Sequence, residues 1–412
     1  MLAARTNASV RLARRSFATV VDAAGLKVAA VDAGQPTVSI TVLAKAGSRY
    51  QTKPGVAHST ADRSALGTVR EAELYGGVLS STLTREHLAL TAEFLRGDEA
   101  FFVKVLSSAI ASSKYLRHEL QELVLPAVES DIHALQTNPA AHAVELAHAL
   151  AFRSGLGASL FAAPHTPITA HDVEQFAATA FSKDNIAVLG TGISESALSS
   201  LVQAAFASQS GSATASTPSA YFGGETRVQA HGGAQTVFIG FGVAGAPTPE
   251  VAALAAYLDP NPTIKWAKSS SPMLQVPHTT VQSVYLPYSD AALVGVIVQG
   301  PTAEATREAA KAVAQTFKSV SSIKAEDLKA AVTKAKFRAA ASVDDRAGLV
   351  EILGSKVLSG ASATSTEATL SAFDSVSSAS FSKVTAALAK AKPTFVAIGD
   401  TEALPYADEL GL

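Results

Sequence analysis

The chain has 412 residues, 48% hydrophobic and 17% charged, with a formal net charge of −2. That is enough apolar mass for two ordinary cores and too little charge for a disordered chain. The near-balanced charge excludes a broad basic surface for nucleic acid, and the absence of cysteine excludes disulfides, thiolate catalysis and cysteine-held zinc or iron–sulfur clusters. No run of about 18 uncharged apolar residues reads as a transmembrane helix, so no direct membrane-spanning segment is expected.

The first 21 residues carry Arg5, Arg11, Arg14 and Arg15 among Ala, Leu, Val and Ser, with no acidic residue before Asp22. This is the composition of a mitochondrial transit peptide. Arg15-Ser16-Phe17-Ala18 fits a processing pattern with arginine three positions before the cut and an aromatic directly before it, so residues 1–17 are expected to be removed and the mature chain to begin at Ala18.

Strand-like runs follow at Thr37 to Val42, Gly77 to Leu83 and His87 to Phe94, then helical stretches at 99–113 and 118–152, a helix from Ala170 to Phe181 and a strand from Ile186 to Gly190. Residues 207–222 open with Ala-Ser-Gln-Ser-Gly-Ser-Ala-Thr, a run without charge or bulk that reads as a flexible linker. The pattern then repeats. Strands are predicted at Thr236 to Phe241, Val281 to Leu286 and Leu293 to Gln299, helices at 302–318 and 324–357, and a helix from Ser380 to Lys390 leads into a last strand from Phe395 to Gly399. Strands grouped apart from helices, twice over, is a duplicated α+β pattern. The Ser-, Ala- and Thr-rich run from Ser359 to Ser380 reads as a surface loop with little fixed structure.

Two motifs are better explained by ordinary structure than by chemistry. Gly240-Phe241-Gly242-Val243-Ala244-Gly245 matches a dinucleotide fingerprint in letters, but Pro247 and Pro249 follow where a helix would have to start, so a strand with its exit turn accounts for it. His142, Glu145 and His148 lie three residues apart on a predicted helix. Each three-residue step drifts by about 60° around the axis, so the two histidines end roughly 120° apart and do not stack as an i, i+4 pair does, and surface or partly buried histidines fit better than metal ligands.

The most informative segment is Gly47-Ser48-Arg49-Tyr50-Gln51-Thr52-Lys53-Pro54-Gly55-Val56-Ala57-His58, followed by Gly76-Gly77-Val78-Leu79-Ser80-Ser81-Thr82-Leu83. The first resembles the strand and turn leading to the inverted zinc motif H-x-x-E-H of the pitrilysin-type (M16) metallopeptidases, and the second resembles the double-glycine strand behind their active helix. The resemblance spans both halves. It implies two homologous α/β-roll domains, residues 18–206 and 223–412, each a mainly antiparallel sheet with helices packed on one side.

In that motif two histidines bind zinc and the glutamate between them activates water. Reading on from His58, the glutamate position falls on Ala61 and the second histidine position on Asp62. Glu122 and Glu129 match the seven-residue spacing of the family's downstream glutamates, and ordinary solvated glutamates account for them equally well. His58, Asp62 and Glu122 could hold a metal weakly, but without the carboxylate base hydrolysis would lose about 10²- to 10⁴-fold. The resemblance therefore implies a scaffold with no catalytic residue, no cofactor and no metal of its own, not an enzyme.

Within the family, Lys265-Trp266-Ala267-Lys268-Ser269-Ser270-Ser271-Pro272-Met273-Leu274 lacks the glycine-rich loop of the non-catalytic processing-peptidase subunit. Together with Leu286 to Leu293 it resembles the core subunits of the cytochrome bc1 complex. That likeness implies a peripheral, matrix-side scaffold of the mitochondrial inner membrane, partnered by a second core subunit, cytochrome b, cytochrome c1 and the Rieske protein. The alternative it leaves is the non-catalytic, substrate-binding subunit of the mitochondrial processing peptidase.

Overall fold

In the computed structural model the residues described are 19–412, apart from 24, 33, 62–65, 164–165, 208–209, 212, 215, 263–270, 272, 274–277, 345 and 360–365. Arg15, Phe17, Ala18, Asp62 and Lys265 to Ser270, singled out from the sequence, lie outside the described residues.

The chain opens with strands β1 (Thr19–Ala23), β2 (Leu26–Val31) and β3 (Thr37–Ala44), then helices α1 (Val56–Ala61) and α2 (Leu66–Leu74). Strands β4 (Val78–Leu83) and β5 (Leu88–Leu95) follow, then helix α3 (Glu99–Ala111). A helical run from Arg117 passes through a π-turn at Leu120–Val124 into α4 (Leu125–Thr137), and α5 (Pro139–Phe152) begins directly after it. Helix α6 (Ala170–Ala180), β6 (Ile186–Thr191) and α7 (Glu195–Ala205) complete the first half. The second half holds β7 (Gly224–Gln229), β8 (Gln235–Ala244), α8 (Pro249–Leu258), β9 (Thr280–Pro287) and β10 (Ala291–Gly300). It ends with α9 (Ala303–Ser319), α10 (Ala325–Ala341), α11 (Arg346–Ser359), α12 (Thr366–Ala372), α13 (Ser378–Lys390) and β11 (Thr394–Gly399).

Two compact units result, and neither is continuous in sequence: one is drawn from Met1–Ala127, His165–Ala215 and Asp345–Thr366, the other from Val128–Pro164, Ser216–Asp344 and Glu367–Leu412. The first contains a sheet of order β1-β2-β6-β3-β5-β4, the second a sheet of order β7-β11-β8-β10-β9. Setting β1 aside, the orders correspond strand for strand. The pairing types correspond too: β2 with β6 and β7 with β11 are parallel, and every other pair is antiparallel. The duplicated, mainly antiparallel architecture expected from the sequence is therefore present in the topology itself.

The central strands explain where the helices go. In β8, Val237, Ile239 and Phe241 point to one face and pack with residues of α8, α9 and α13, while Phe238 points to the other and packs with Ala143, Ala147, Ala151 and Phe152 of α5. A strand apolar on both faces must be covered on both. The main helix layer thus lies on one side, as expected, and a single further helix closes the opposite face. In the first unit that helix is α11, whose Val357 and Leu358 pack on Ala29, Leu43, Ala187 and Leu189. Each sheet takes its second-face helix from the other half of the sequence.

Two details depart from the sequence reading. The helical stretch 118–152 is divided at Asn138, whose side chain accepts the Ala141 N–H to cap α5, with Pro139 at the first helical position. The Ser-rich run after Ser359 includes helix α12, and Phe373 beyond it is buried against Ala256 and Ala335. One large apolar side chain anchors a segment whose average composition suggests a loop.

The double glycine before β4 has separate physical reasons at its two positions. Gly76 sits at φ +66°, and a Cβ on Gly77 would stand 2.1 Å from the ring of Phe102, which is fully buried and stacked on Phe94 at 4.1 Å between centroids. Gly77→Ala is expected to destabilise the first unit by about 1–3 kcal/mol, because a packed ring has nowhere to move. Urea unfolding checks this. An unchanged midpoint would show that the Phe102 cluster yields freely.

Candidate functional site

The segment leading to His58 is fixed at both ends. A Cβ on Gly47 would lie 2.3 Å from the Arg85 carbonyl oxygen, so only glycine allows the two backbones to approach, and the Arg49 N–H then donates to that carbonyl at 2.8 Å. The Arg49 guanidinium donates to Glu86 Oε1, also at 2.8 Å, with both side chains almost withdrawn from water. Further on, Lys53 Nζ meets Asp172 Oδ2 at 2.7 Å. Asp172 belongs to the capping box of α6, where its carboxylate also accepts the N–H and hydroxyl of Thr169. Those donors hold its carboxyl well below the usual carboxylate range, the Lys53 hydrogen bond first.

All six residues of α1 are buried. The hydroxyls beside His58 turn back on their own helix, Ser59 donating to the Gly55 carbonyl and Thr60 to the Val56 carbonyl. Ala61, which the sequence reading aligns with the motif's carboxylate position, is the last residue of α1 and is buried. Glu122 lies in the π-turn and Glu129 in α4, both exposed. A π-turn is wider than an α-turn, so the seven-residue step between the two glutamates no longer keeps them in one straight row.

A cleft of about 930 Å³ opens in the first unit, lined among others by Ser59, Thr60, Ser80, Lys104, Glu119 and Glu122. The structure therefore brings Glu122 to the same cleft as the neighbours of His58. His58, Ala61 and Glu129 are not on its wall. Among the described residues no three or more His, Asp or Glu side chains are grouped so that they could hold a metal ion. Zinc needs at least three converging donors and a base beside its water. The donor set present here does not match that requirement: hydroxyls line the cleft together with Glu71, His118, Glu119 and Glu122, but no three such donors converge among the described residues.

The other candidate motifs take structural positions in the second unit. His148 is buried; its Nδ1 donates to the Val144 carbonyl at 2.7 Å, and Nε2 meets the Tyr288 hydroxyl at 2.7 Å. Glu145 accepts the Leu160 N–H, and burial lowers the pKa of His142, partly offset by Glu145. Sequence spacing gave no sign of Tyr288, which lies 140 residues away. Gly240 and Gly242 lie within β8, where added Cβ atoms would strike Phe238 and Tyr221, so these glycines make room for aromatic rings.

The duplicated topology defines a pitrilysin-type scaffold, and residues 27–164 match the family model described as insulinase, peptidase family M16. Over nearly its whole length the chain is similar to proteins named "Cytochrome b-c1 complex subunit 2, mitochondrial". The one from Cryptococcus neoformans is 45% identical over 98% of this chain and 96% of its own length. The protein of that name from Yarrowia lipolytica is 36% identical, covering 97% of this chain and 98% of its own, and the human one 27% identical, covering 94% and 90%. The chain belongs to this cytochrome b-c1 complex subunit 2 family, a branch of the M16 scaffold.

Proposed function

We propose that the chain is the non-catalytic core subunit of the mitochondrial ubiquinol–cytochrome c reductase, respiratory complex III, and that it pairs with core protein 1 and supports cytochrome b, cytochrome c1 and the Rieske protein. The observation that carries the reading is Ala61: a buried methyl group where the peptidase chemistry needs its base, in a chain similar along nearly its full length to a bc1 subunit. No helix among the described residues is long and apolar enough to cross a membrane, which suits peripheral attachment on the matrix side. Residues 1–17 serve as the import signal, with cleavage after Phe17, Arg15 supplying the basic recognition residue and Ala18 becoming the new N-terminus. The two homologous domains run as 18–206 and 223–412 along the chain, even though their second-face helices are exchanged in packing.

Purification of the tagged chain in mild detergent, with subunit identification and N-terminal mass analysis, tests this. The expected result is co-migration with cytochromes b and c1 and a mature chain starting at Ala18. Recovery in a soluble heterodimer that cleaves presequences would overturn the reading in favour of a processing-peptidase subunit.

A further inference from the structure

The start of the compositional linker is held by a buried amide side chain that is hydrogen-bonded through both its nitrogen and its oxygen. Asn185, between α6 and β6, is fully buried. Its Nδ2 donates to the Thr179 carbonyl at 3.0 Å, to Ser182 Oγ at 2.8 Å and to Thr214 Oγ1 at 2.7 Å, while its Oδ1 accepts the Thr214 N–H at 2.8 Å. Thr214 thus supplies to the amide what a neighbouring strand would otherwise supply, one donor and one acceptor. Gly211 presses against the same corner: its φ is +128°, and a Cβ there would lie 2.5 Å from Ser182 Cβ. The Lys183 N–H also donates to the Ser210 carbonyl, at 3.4 Å.

We propose that Ser182, Lys183 and Asn185 form a docking site for Ser210, Gly211 and Thr214 of the chain itself, so that the linker is held there as a strap. A buried amide loses free energy if its hydrogen-bonding groups go unpaired, so Asn185 favours the docked strap over water-filled alternatives. Glycine at 211 is the residue type that permits the close approach. The later part of the linker is held by a different acceptor, since Asp290 takes the Ser219 N–H at 2.9 Å and its hydroxyl at 3.0 Å. Both stretches of the linker are therefore tied to folded parts of the chain, in contrast to the freedom that a run poor in bulk implies. Composition misses this because the groups that order the strap lie on the folded units, outside the strap's own sequence.

Hydrogen exchange read by mass spectrometry on the full chain, with subtilisin cleavage in parallel, tests the strap. The Thr214 amide is expected to exchange at least about tenfold more slowly than in a free peptide of residues 205–222, with cleavage starting outside 210–214. Asn185→Ala is expected to abolish that protection. Because this variant also opens the α6–β6 corner, Gly211→Ala provides the companion measurement from the strap side: protection should fall while the melting temperature stays near the unsubstituted value. Peptide-like exchange at Thr214 in the unsubstituted chain would overturn the proposal. So would full protection in the Gly211→Ala variant.

Discussion

Arg49→Met is expected to lower the stability of the first unit by about 1.5–3 kcal/mol, because it takes a charged hydrogen-bond donor away from a Glu86 carboxylate that is almost withdrawn from water. The side chains of Arg49 and Glu86 are 3% and 11% exposed, so solvent can neither screen the pair nor replace the missing partner. The cost comes from the charged hydrogen bond that the buried carboxylate loses where little water can replace it. Replacing both, Arg49→Met with Glu86→Gln, should therefore recover most of the loss. A double-mutant cycle by urea unfolding measures the coupling directly. A coupling near zero would mean that the pair is held by its surroundings and adds nothing, and that other contacts of the loop before His58 fix its position.

That pair also marks the limit of what the sequence revealed. The strands were legible because their apolar and β-branched runs are bounded by turn residues: Thr37 to Val42 became β3, Ile186 to Gly190 became β6, and Phe395 to Gly399 became β11, each within a residue or two at its ends. The duplication was legible for the same reason. The exchange of α5 and α11 between halves was not, since periodicity states that a helix has a buried face and is silent about which sheet receives it. Arg49 and Glu86 stand 37 residues apart, in a turn and a hairpin tip that have no periodic signature at all.

At the candidate site the asymmetry is sharper. The expectation that the general base is absent rests on one letter, Ala61, because the zinc motif fixes residue type and spacing together. The cleft beside α1 could not be read that way. The hydroxyl-lined cleft is assembled from α1, β4, the residues after α3 and the π-turn, and only the fold brings Ser59, Ser80 and Glu122 to one cavity. The glycines at 47 and 77, the buried ion pair and the α6 capping box hold the geometry around α1 through contacts that need no metal.

His87 gives the first unit an expected sensitivity to mild acid. It follows the β4–β5 turn, where its N–H donates to Thr84 Oγ1, its carbonyl accepts the Thr84 N–H, and its ring is buried with Nδ1 lacking a hydrogen-bond partner. Burial pushes its pKa down from 6.5 to about 4. Above pH 6.5 the ring is neutral whether the chain is folded or unfolded, so its titration has no effect there. As pH falls from 6.5 to 4 the unfolded chain binds a proton that the folded chain refuses, and stability declines by about 1.4 kcal/mol per pH unit, approaching about 3 kcal/mol in all. Below 4 both states are protonated and this loss stops. The depressed carboxyl of Asp172 acts in the opposite window, its stabilisation being lost only as pH drops below the ordinary aspartate range. Urea midpoints measured at half-unit steps should therefore fall between pH 6.5 and 4 in the unsubstituted chain and fall much less in His87→Leu, with the two curves running parallel below pH 4. Parallel curves across the whole range would show that the buried imidazole is protonated in the folded state, through a rearrangement of the turn between Thr84 and His87.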